Sequence, residues 1–433
     1  MQTSLRGIAR KAKQDKEHKF GNLYGMLDKE ALYQAWRKIR KNAASGVDNE
    51  TAEEYAENLD TNLDKLLNEL KSKRYKAKLV KRVYIPKGKD KTRPLGLPAL
   101  RDKIVQRAVT SILEAIYEQD FQKCSYGYRP GVGAQKAAKD LNNELMGKYG
   151  YIVEADIKGF FNNIDHDWLM EALKLRIKDG ALLRLIKKWL KAGVLDTDGK
   201  VIDPLTGCPQ GSVISPMLAN IYLHYVLDTW FEETVKPRLE SDAYMMRFAD
   251  DFVCAFRYKE DAERFYRVLG KRLGRFGLEL AMEKTKIVNF SRFRIHENTS
   301  FEFLGFEYRW GLSRKGKATI KMRTSRKKLR KSVQDFTRWC RKNRHNRIKK
   351  IVDALNLKFR GYFNYYGVIG NSKGINEFYR IATEILYKWL NRRSQKRSFT
   401  WQEFKDKMKW YGLIKPRIVD TKDYQLRLEE CFV

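Results

Sequence analysis

Tyr244-Met245-Met246-Arg247-Phe248-Ala249-Asp250-Asp251-Phe252-Val253-Cys254-Ala255-Phe256 consists of two apolar, strand-length runs around a pair of acids. It reads as a tight β-hairpin that carries Asp250 and Asp251 at its turn. Alone the hairpin is weak evidence for chemistry, because Asp favours turns for local backbone reasons. A second stretch, Tyr151-Ile152-Val153-Glu154-Ala155-Asp156-Ile157-Lys158-Gly159-Phe160-Phe161, delivers another carboxylate, Asp156, where an apolar β run opens into a loop, 94 residues before Asp250. A neutral turn needs no third Asp at the end of another apolar strand. Adjacent like charges are costly unless a cation bridges them. Two Mg²⁺ ions about 3.5–4 Å apart, with Mn²⁺ as the alternative, would activate an attacking hydroxyl and stabilise a leaving pyrophosphate. Mg²⁺ takes about one or two carboxylates together with substrate phosphates, so a few Asp suffice.

The composition narrows the partner. The 433 residues hold 88 Lys plus Arg against 53 Asp plus Glu, a formal charge of +35. With 43% hydrophobic and 12% aromatic residues, that charge sits on a chain able to build cores. Its expected partner is nucleic acid, ahead of a membrane surface, since no single amphipathic segment dominates. No run approaches the ~18 apolar residues of a membrane span, and Met1 to Lys19 lacks the apolar core of a signal peptide; the expectation is a soluble, intracellular protein. Five scattered cysteines without a C-x-x-C pair exclude a disulfide framework and a cysteine zinc module, and the five histidines form no H-E-x-x-H.

Three regions separate by pattern. Residues 26–75 carry helical spacing, with Leu32, Ala35, Trp36 and Ile39 on one face and Leu59, Leu63, Leu66, Leu67 and Leu70 on another. Short β runs and helices alternate over 76–311, among them Arg82 to Ile85, a helix from Lys103 to Tyr117, and one from Ser215 to Phe231. After Gly316 the chain turns helical and basic. Between Arg323 and Lys350 there are 13 Lys or Arg and one acid, Asp335, while Leu329, Val333, Phe336 and Cys340 keep an apolar stripe. One face of a helix over 326–342 is expected to pack and the other, with Arg326, Arg330, Lys331, Arg338 and Arg341, to meet phosphate; a solvated charged face is the competing reading. The division expected is 1–75 as an N-terminal extension, 76–311 as the central unit, 312–412 as a helical unit and 413–433 as a short tail.

Taken in order, these motifs resemble the reverse transcriptases of bacterial group II introns, the intron-encoded maturases. Asp156 matches the first catalytic motif, in which the family also lends a metal the backbone carbonyl of the next residue, here Ile157. Phe248-Ala249-Asp250-Asp251 matches the Tyr-Ala-Asp-Asp box, and Pro209-Gln210-Gly211-Ser212 is similar to the Pro-Gln-Gly-Gly loop. Ile85-Pro86-Lys87 through Arg93-Pro94-Leu95-Gly96, and Ser125 to Gly131, look like its fingers motifs. Glu283-Lys284-Thr285-Lys286 and Phe303-Leu304-Gly305-Phe306 look like the last palm motifs, and 355–366 like the maturase thumb. The departures are Ser212 for Gly, Phe248 for Tyr and Val132 where Arg is frequent.

The resemblance implies an α+β right-hand polymerase with fingers and palm, a helical N-terminal extension and an α-helical thumb. It implies a nucleotide seat of Lys87, Arg93, Phe161, Gln210 and Lys284, with Phe161 below the sugar; a core Phe is the competing reading. It implies nucleic-acid contacts from Arg129, Gly211, the thumb helix, Tyr362, Tyr365 and Arg392. The expected partners are intron RNA, a primed RNA template, dNTPs and target DNA. The expected function is RNA-templated DNA synthesis coupled to splicing and retrohoming of a host intron. An RNA-binding splicing factor with an idle polymerase, or a free-standing reverse transcriptase, are the alternatives. No Cys/His cluster of an appended nuclease is expected.

Overall fold

The structure, a computed structural model, describes residues 4–86, 92–313, 315–393 and 398–419. Four helices open the chain: α1 (Leu5–Gln14), α2 (Lys29–Lys38), α3 (Ala52–Glu57) and α4 (Leu59–Lys71). Ser4, Asp28 and Thr51 cap the first three through their side-chain oxygens, each satisfying an otherwise orphaned helical N–H. The hairpin β1 (Val80–Pro86) and β2 (Thr92–Leu97) follows; Lys87 lies outside the described residues. Next come α5 (Leu100–Tyr117), α6 (Ala134–Glu144), β3 (Tyr151–Asp156), α7 (His166–Lys174), α8 (Gly180–Leu190), β4 (Val194–Leu195), β5 (Val201–Ile202) and α9 (Ser215–Leu223). The helix expected to run from Ser215 to Phe231 keeps an α period only to Leu223. It then widens into π-type turns over His224–Asp228 and Phe231–Val235. β6 (Ala243–Phe248), β7 (Asp251–Phe256), α10 (Lys259–Arg275), β8 (Lys286–Asn289), β9 (Ser300–Phe303), β10 (Phe306–Leu312) and β11 (Ala318–Thr324) lead to the terminal helices α11 (Arg326–Asn343), α12 (Ile348–Tyr366), α13 (Ser372–Leu390) and α14 (Trp401–Trp410).

The central sheet is antiparallel, in the order β6-β7-β3-β8. Its strands read as continuous apolar runs because both faces are covered, so the polar half of the usual alternation is missing. Val153, Ala155, Phe252, Cys254 and Phe256 join a core shared with the N-terminal helices and α5. Ile152, Met246, Val253 and Ala255 point the other way, into a second core shared with α6, β9–β11 and α11–α14. Asp156 and Asp251 are cross-strand partners, as are Ile152 and Ala255, so by the period of two both acids belong to the face that looks toward the C-terminal helices. The hairpin β10–β11 spans position 312, so a cut there divides a sheet. Two smaller sheets, β2-β1-β4-β5 and β11-β10-β9, flank the centre.

Candidate active site

Phe248 and Asp251 are paired across a two-residue connection, Ala249-Asp250, so Asp250 occupies the turn and Asp251 opens β7. Asp251 stands opposite Asp156 at the end of β3. Directly opposed residues on an antiparallel pair have Cβ atoms about 4.5–5.5 Å apart, and like charges so placed repel. The repulsion shows in proton affinity. Burial, with the nearby Asp156, Asp250 and Glu154, pushes the Asp251 carboxyl up to about 7. Burial raises Asp250 too, with Asp156 adding to it. Lys284 sets its ammonium on Asp156, an ion pair that raises the lysine's own pKa. Asp156, Asp251 and Lys284 line a cavity of about 640 Å³ whose far wall is Lys327, Lys328 and Tyr365 from α11 and α12.

The raised carboxyls of Asp250 and Asp251 beside Asp156 suit a hard divalent cation, which would offset the burial and the like-charge repulsion that raise Asp251. Among the described residues no three acidic, His or Cys side chains are drawn together into a ready metal cluster; Lys284 holds Asp156 instead. Ile157 keeps its side chain buried and bridges to Leu280.

The fingers side is built by close backbone approach. The Gln210 carbonyl accepts from the Gly96 amide at 2.6 Å, and the Gln210 side-chain Oε1 accepts from Arg93 Nε at 2.7 Å. Gly211 has φ +109°, and a Cβ there would lie 2.6 Å from the Gly96 carbonyl oxygen. Glycine is therefore required by β2 itself, whatever else the loop approaches. Ser212 is buried and donates to Gln106 Oε1 at 2.8 Å, which accounts for a hydroxyl where the family pattern has Gly. Phe161 is 6% exposed and packs edge-on against Phe160, so its ring belongs to the core. Tyr128, missed in the sequence reading although its motif was singled out, is 48% exposed, has φ +58° and lies edge-on over Phe161 with centroids 6.3 Å apart. Burial raises its hydroxyl pKa, with the nearby Asp250 adding and Arg93 opposing.

Outside this corner the expected contacts divide. Arg129 is tied inward, its Nε 3.0 Å from Glu118 and its Nη1 donating to the Ser125 carbonyl at 2.7 Å, which leaves little of its guanidinium for phosphate. Tyr362 stacks on Phe378 with centroids 3.9 Å apart, so its ring face is committed to the thumb core. Tyr365 stays at the cavity, its hydroxyl donating to the Leu304 carbonyl at 3.0 Å. Arg326, Arg330, Lys331, Arg338 and Arg341 are exposed along α11 while Phe336 and Cys340 are buried, as the stripe required. Lys331 and Arg338 share Asp335. Arg392 is exposed beside the Trp389 ring.

The family described as "Reverse transcriptase (RNA-dependent DNA polymerase)" matches residues 85–308, from β1 through β10. The chain belongs to the reverse transcriptase family. Group II intron-encoded protein LtrA of Lactococcus lactis subsp. cremoris is 29% identical over 460 residues, covering 86% of this chain and 75% of that protein. Protein YkfC of Escherichia coli (strain K12) is 33% identical over 323 residues, covering 67% of this chain and 83% of that protein. A shorter match, 30% identical over 141 residues, is to nuclear intron maturase 4, mitochondrial, of Arabidopsis thaliana, covering 31% of this chain and 17% of that protein. This reverse transcriptase is an RNA-directed DNA polymerase of the group II intron kind, an enzyme that takes a nucleic-acid template and uses divalent metal. Its α+β fold with an antiparallel palm sheet agrees with the right-hand polymerase expected from the sequence. Among the described residues no helix is long and apolar enough to cross a membrane.

Proposed function

We propose that the protein extends a DNA or RNA primer on an RNA template with dNTPs at Asp156, Asp250 and Asp251, and that it binds its intron RNA to assist splicing and retrohoming into target DNA, in the bacterial cytoplasm. The observation that carries the reading is the register: Asp156 opposite Asp251, with Asp250 in the adjoining turn, on the sheet face that looks across a cavity at thumb lysines. Asp156, Asp250, Asp251 and the Ile157 carbonyl would hold Mg²⁺, or Mn²⁺ in its place. A cation so held would supply charge neutralisation for the reacting phosphate and acidify the primer hydroxyl.

The chain's own groups do the rest. Arg93, oriented by Gln210, offers a guanidinium fork to the triphosphate, with Lys87 as a second cation. Lys284, released from Asp156, becomes a proton donor for pyrophosphate. Tyr128, backed by Phe161, presents a flat edge to the sugar and disfavours a 2′-hydroxyl. Lys327 and Lys328 neutralise the primer backbone beside the reacting end.

Primer extension on poly(rA)/oligo(dT) tests the polymerase half, and retention of a labelled group II intron RNA tests the other. Extension by the parent that is absent in Asp250→Asn supports the assignment. Equal rates in both proteins would remove it, and a parent that binds intron RNA but never extends would leave a splicing factor.

A further inference from the structure

A lone arginine near the end of an apolar strand has no business in a core unless something there needs it. Arg247, the penultimate residue of β6, is 0% exposed and makes five hydrogen bonds. Its Nε and Nη2 donate to the two oxygens of Asp228 at 2.6 and 2.5 Å, and Asp228 is itself fully buried. Nη2 also donates to Ser125 Oγ at 2.7 Å, and Nη1 to Asn220 Oδ1 at 3.1 Å and to the Ala249 carbonyl at 3.0 Å. The last bond reaches the residue before Asp250.

Ala249 needs holding. Its φ is +59°, a left-handed conformation that a residue with a Cβ adopts at a cost and that glycine adopts freely. The surroundings converge on it from one more side. Arg247 pairs in parallel with Ser125, its N–H donating to the Cys124 carbonyl at 2.8 Å and its carbonyl accepting from Tyr126 N–H at 2.9 Å. That pairing drives Gly127 against the turn, where a Cβ would lie 2.3 Å from the Ala249 nitrogen. Asn220 closes the ring by donating to the Gly127 carbonyl at 2.7 Å. The wide turn His224–Asp228 is what brings Asp228 to the same point.

A buried ion pair is poor value as a source of stability, since apolar side chains of similar volume do as well or better. Such side chains could not, however, bond the Ala249 carbonyl. We infer that Arg247 is a positioning residue: clamped by Asp228, Asn220 and Ser125, it fixes the strained Ala249 peptide and so aims Asp250 and Asp251 at the reacting phosphates. The inference rests on the proposed catalytic role of those two acids.

The test uses the full chain and three variants, Asp250→Asn, Arg247→Lys and Arg247→Lys/Ala249→Gly, with primer-extension kcat, dNTP KM and hydrogen exchange. Lysine keeps the charge but has no fork to bond Asp228, Asn220 and Ala249 together. For Arg247→Lys we expect kcat to fall on the order of 30- to 100-fold, with dNTP KM within about twofold of the parent. Exchange in the peptide covering 249–251 should accelerate while β3 and β7 stay protected. Glycine at 249 takes the positive φ without the clamp, so the double variant should recover kcat by about fivefold or more. A merely structural arginine would not give that rescue. If Arg247→Lys keeps the parental kcat while Asp250→Asn is inactive, the positioning role falls and the acids stand. If Asp250→Asn is active, the reading beneath falls first. If Arg247→Lys does not fold, Ser125→Ala and Asn220→Ala each remove one tie and leave the ion pair. Each should then lower kcat severalfold at constant KM, and unchanged kcat in both overturns the proposal.

Discussion

Two regions of this reverse transcriptase use arginine in opposite ways. Beneath the palm turn, Arg247 has no exposed surface, a dedicated carboxylate and three further acceptors. On α11, Arg330 and Arg341 are exposed, and the one acid of that run, Asp335, sits between Lys331 and Arg338. Burial makes the first arginine a fixed geometric part, for which lysine is no substitute. Exposure makes the second group a field, in which only the number of charges near phosphate counts. A net charge of +35 therefore does not describe one property of the molecule.

The sharpest way to break the contrast is at the acids. Asp250→Asn keeps volume and removes a charge from the corner shared with Asp156 and Asp251; primer extension should fall by several powers of ten while intron RNA affinity in a filter-binding assay is unchanged. The counter-ions come next. Asp228→Asn leaves Arg247 buried without its partner and should cost about 3–5 kcal/mol in urea unfolding. Asp335→Asn on the partly exposed thumb helix should cost no more than about 1 kcal/mol by the same measurement. Equal costs would show that burial does not separate the two regions.

The third contrast is in salt dependence. Replacing Arg330 and Arg341 by Gln removes two exposed cations, and each phosphate contact contributes about 0.7 to 0.9 to the slope of log K against log salt. The slope for intron RNA should shrink by about 1.5 units, whereas Arg330→Lys/Arg341→Lys should leave it unchanged. Adding Lys331 and Arg338 to the Gln set should shrink it by less than a second such step, because Asp335 already holds both. An unchanged slope in the Gln variants would make α11 a solvated face.

Phe161 and Tyr128 make a smaller pair of opposites. Phe161→Ala should act on stability, by about 3–5 kcal/mol for a buried ring. Tyr128→Ala should act on the ratio of rNTP to dNTP incorporation with a smaller stability change. A further effect is one of pH. Burial lowers the His224 pKa from 6.5 to about 4, so below pH 6.5 the unfolded ring takes a proton that the folded ring refuses. Stability present above pH 6.5 should then be lost by about 1.4 kcal/mol per pH unit as pH falls toward 4. His224→Gln should flatten that part of a urea stability profile; an unaltered slope would show that other groups carry it.

The chemistry-bearing residues could be read from sequence because their signals are local. An apolar run ending in Asp156, two runs around Asp250 and Asp251, and a helical stripe over a cationic face each lie within about one element, and strand or helix period alone orders them. That both sheet faces are covered is seen in the two cores that the strands divide between them. What sequence could not order were relations set by packing. Gly211 owes its identity to the Gly96 carbonyl, Ser212 to Gln106, and Phe161 yields its place at the surface to Tyr128 because a positive φ at 128 lays that ring over it. Arg129 and Tyr362, read as contacts for nucleic acid, are drawn inward by Glu118 and Phe378. The partners of Arg247 come from three further segments, at 125, 220 and 228, and a bond between positions so far apart leaves no period in the chain. Sequence alone determined which groups carry charge and which strands and helices present them. Only tertiary structure decided which charges are buried and paired and which remain free for phosphate, because desolvation and partner geometry exist only once distant segments meet.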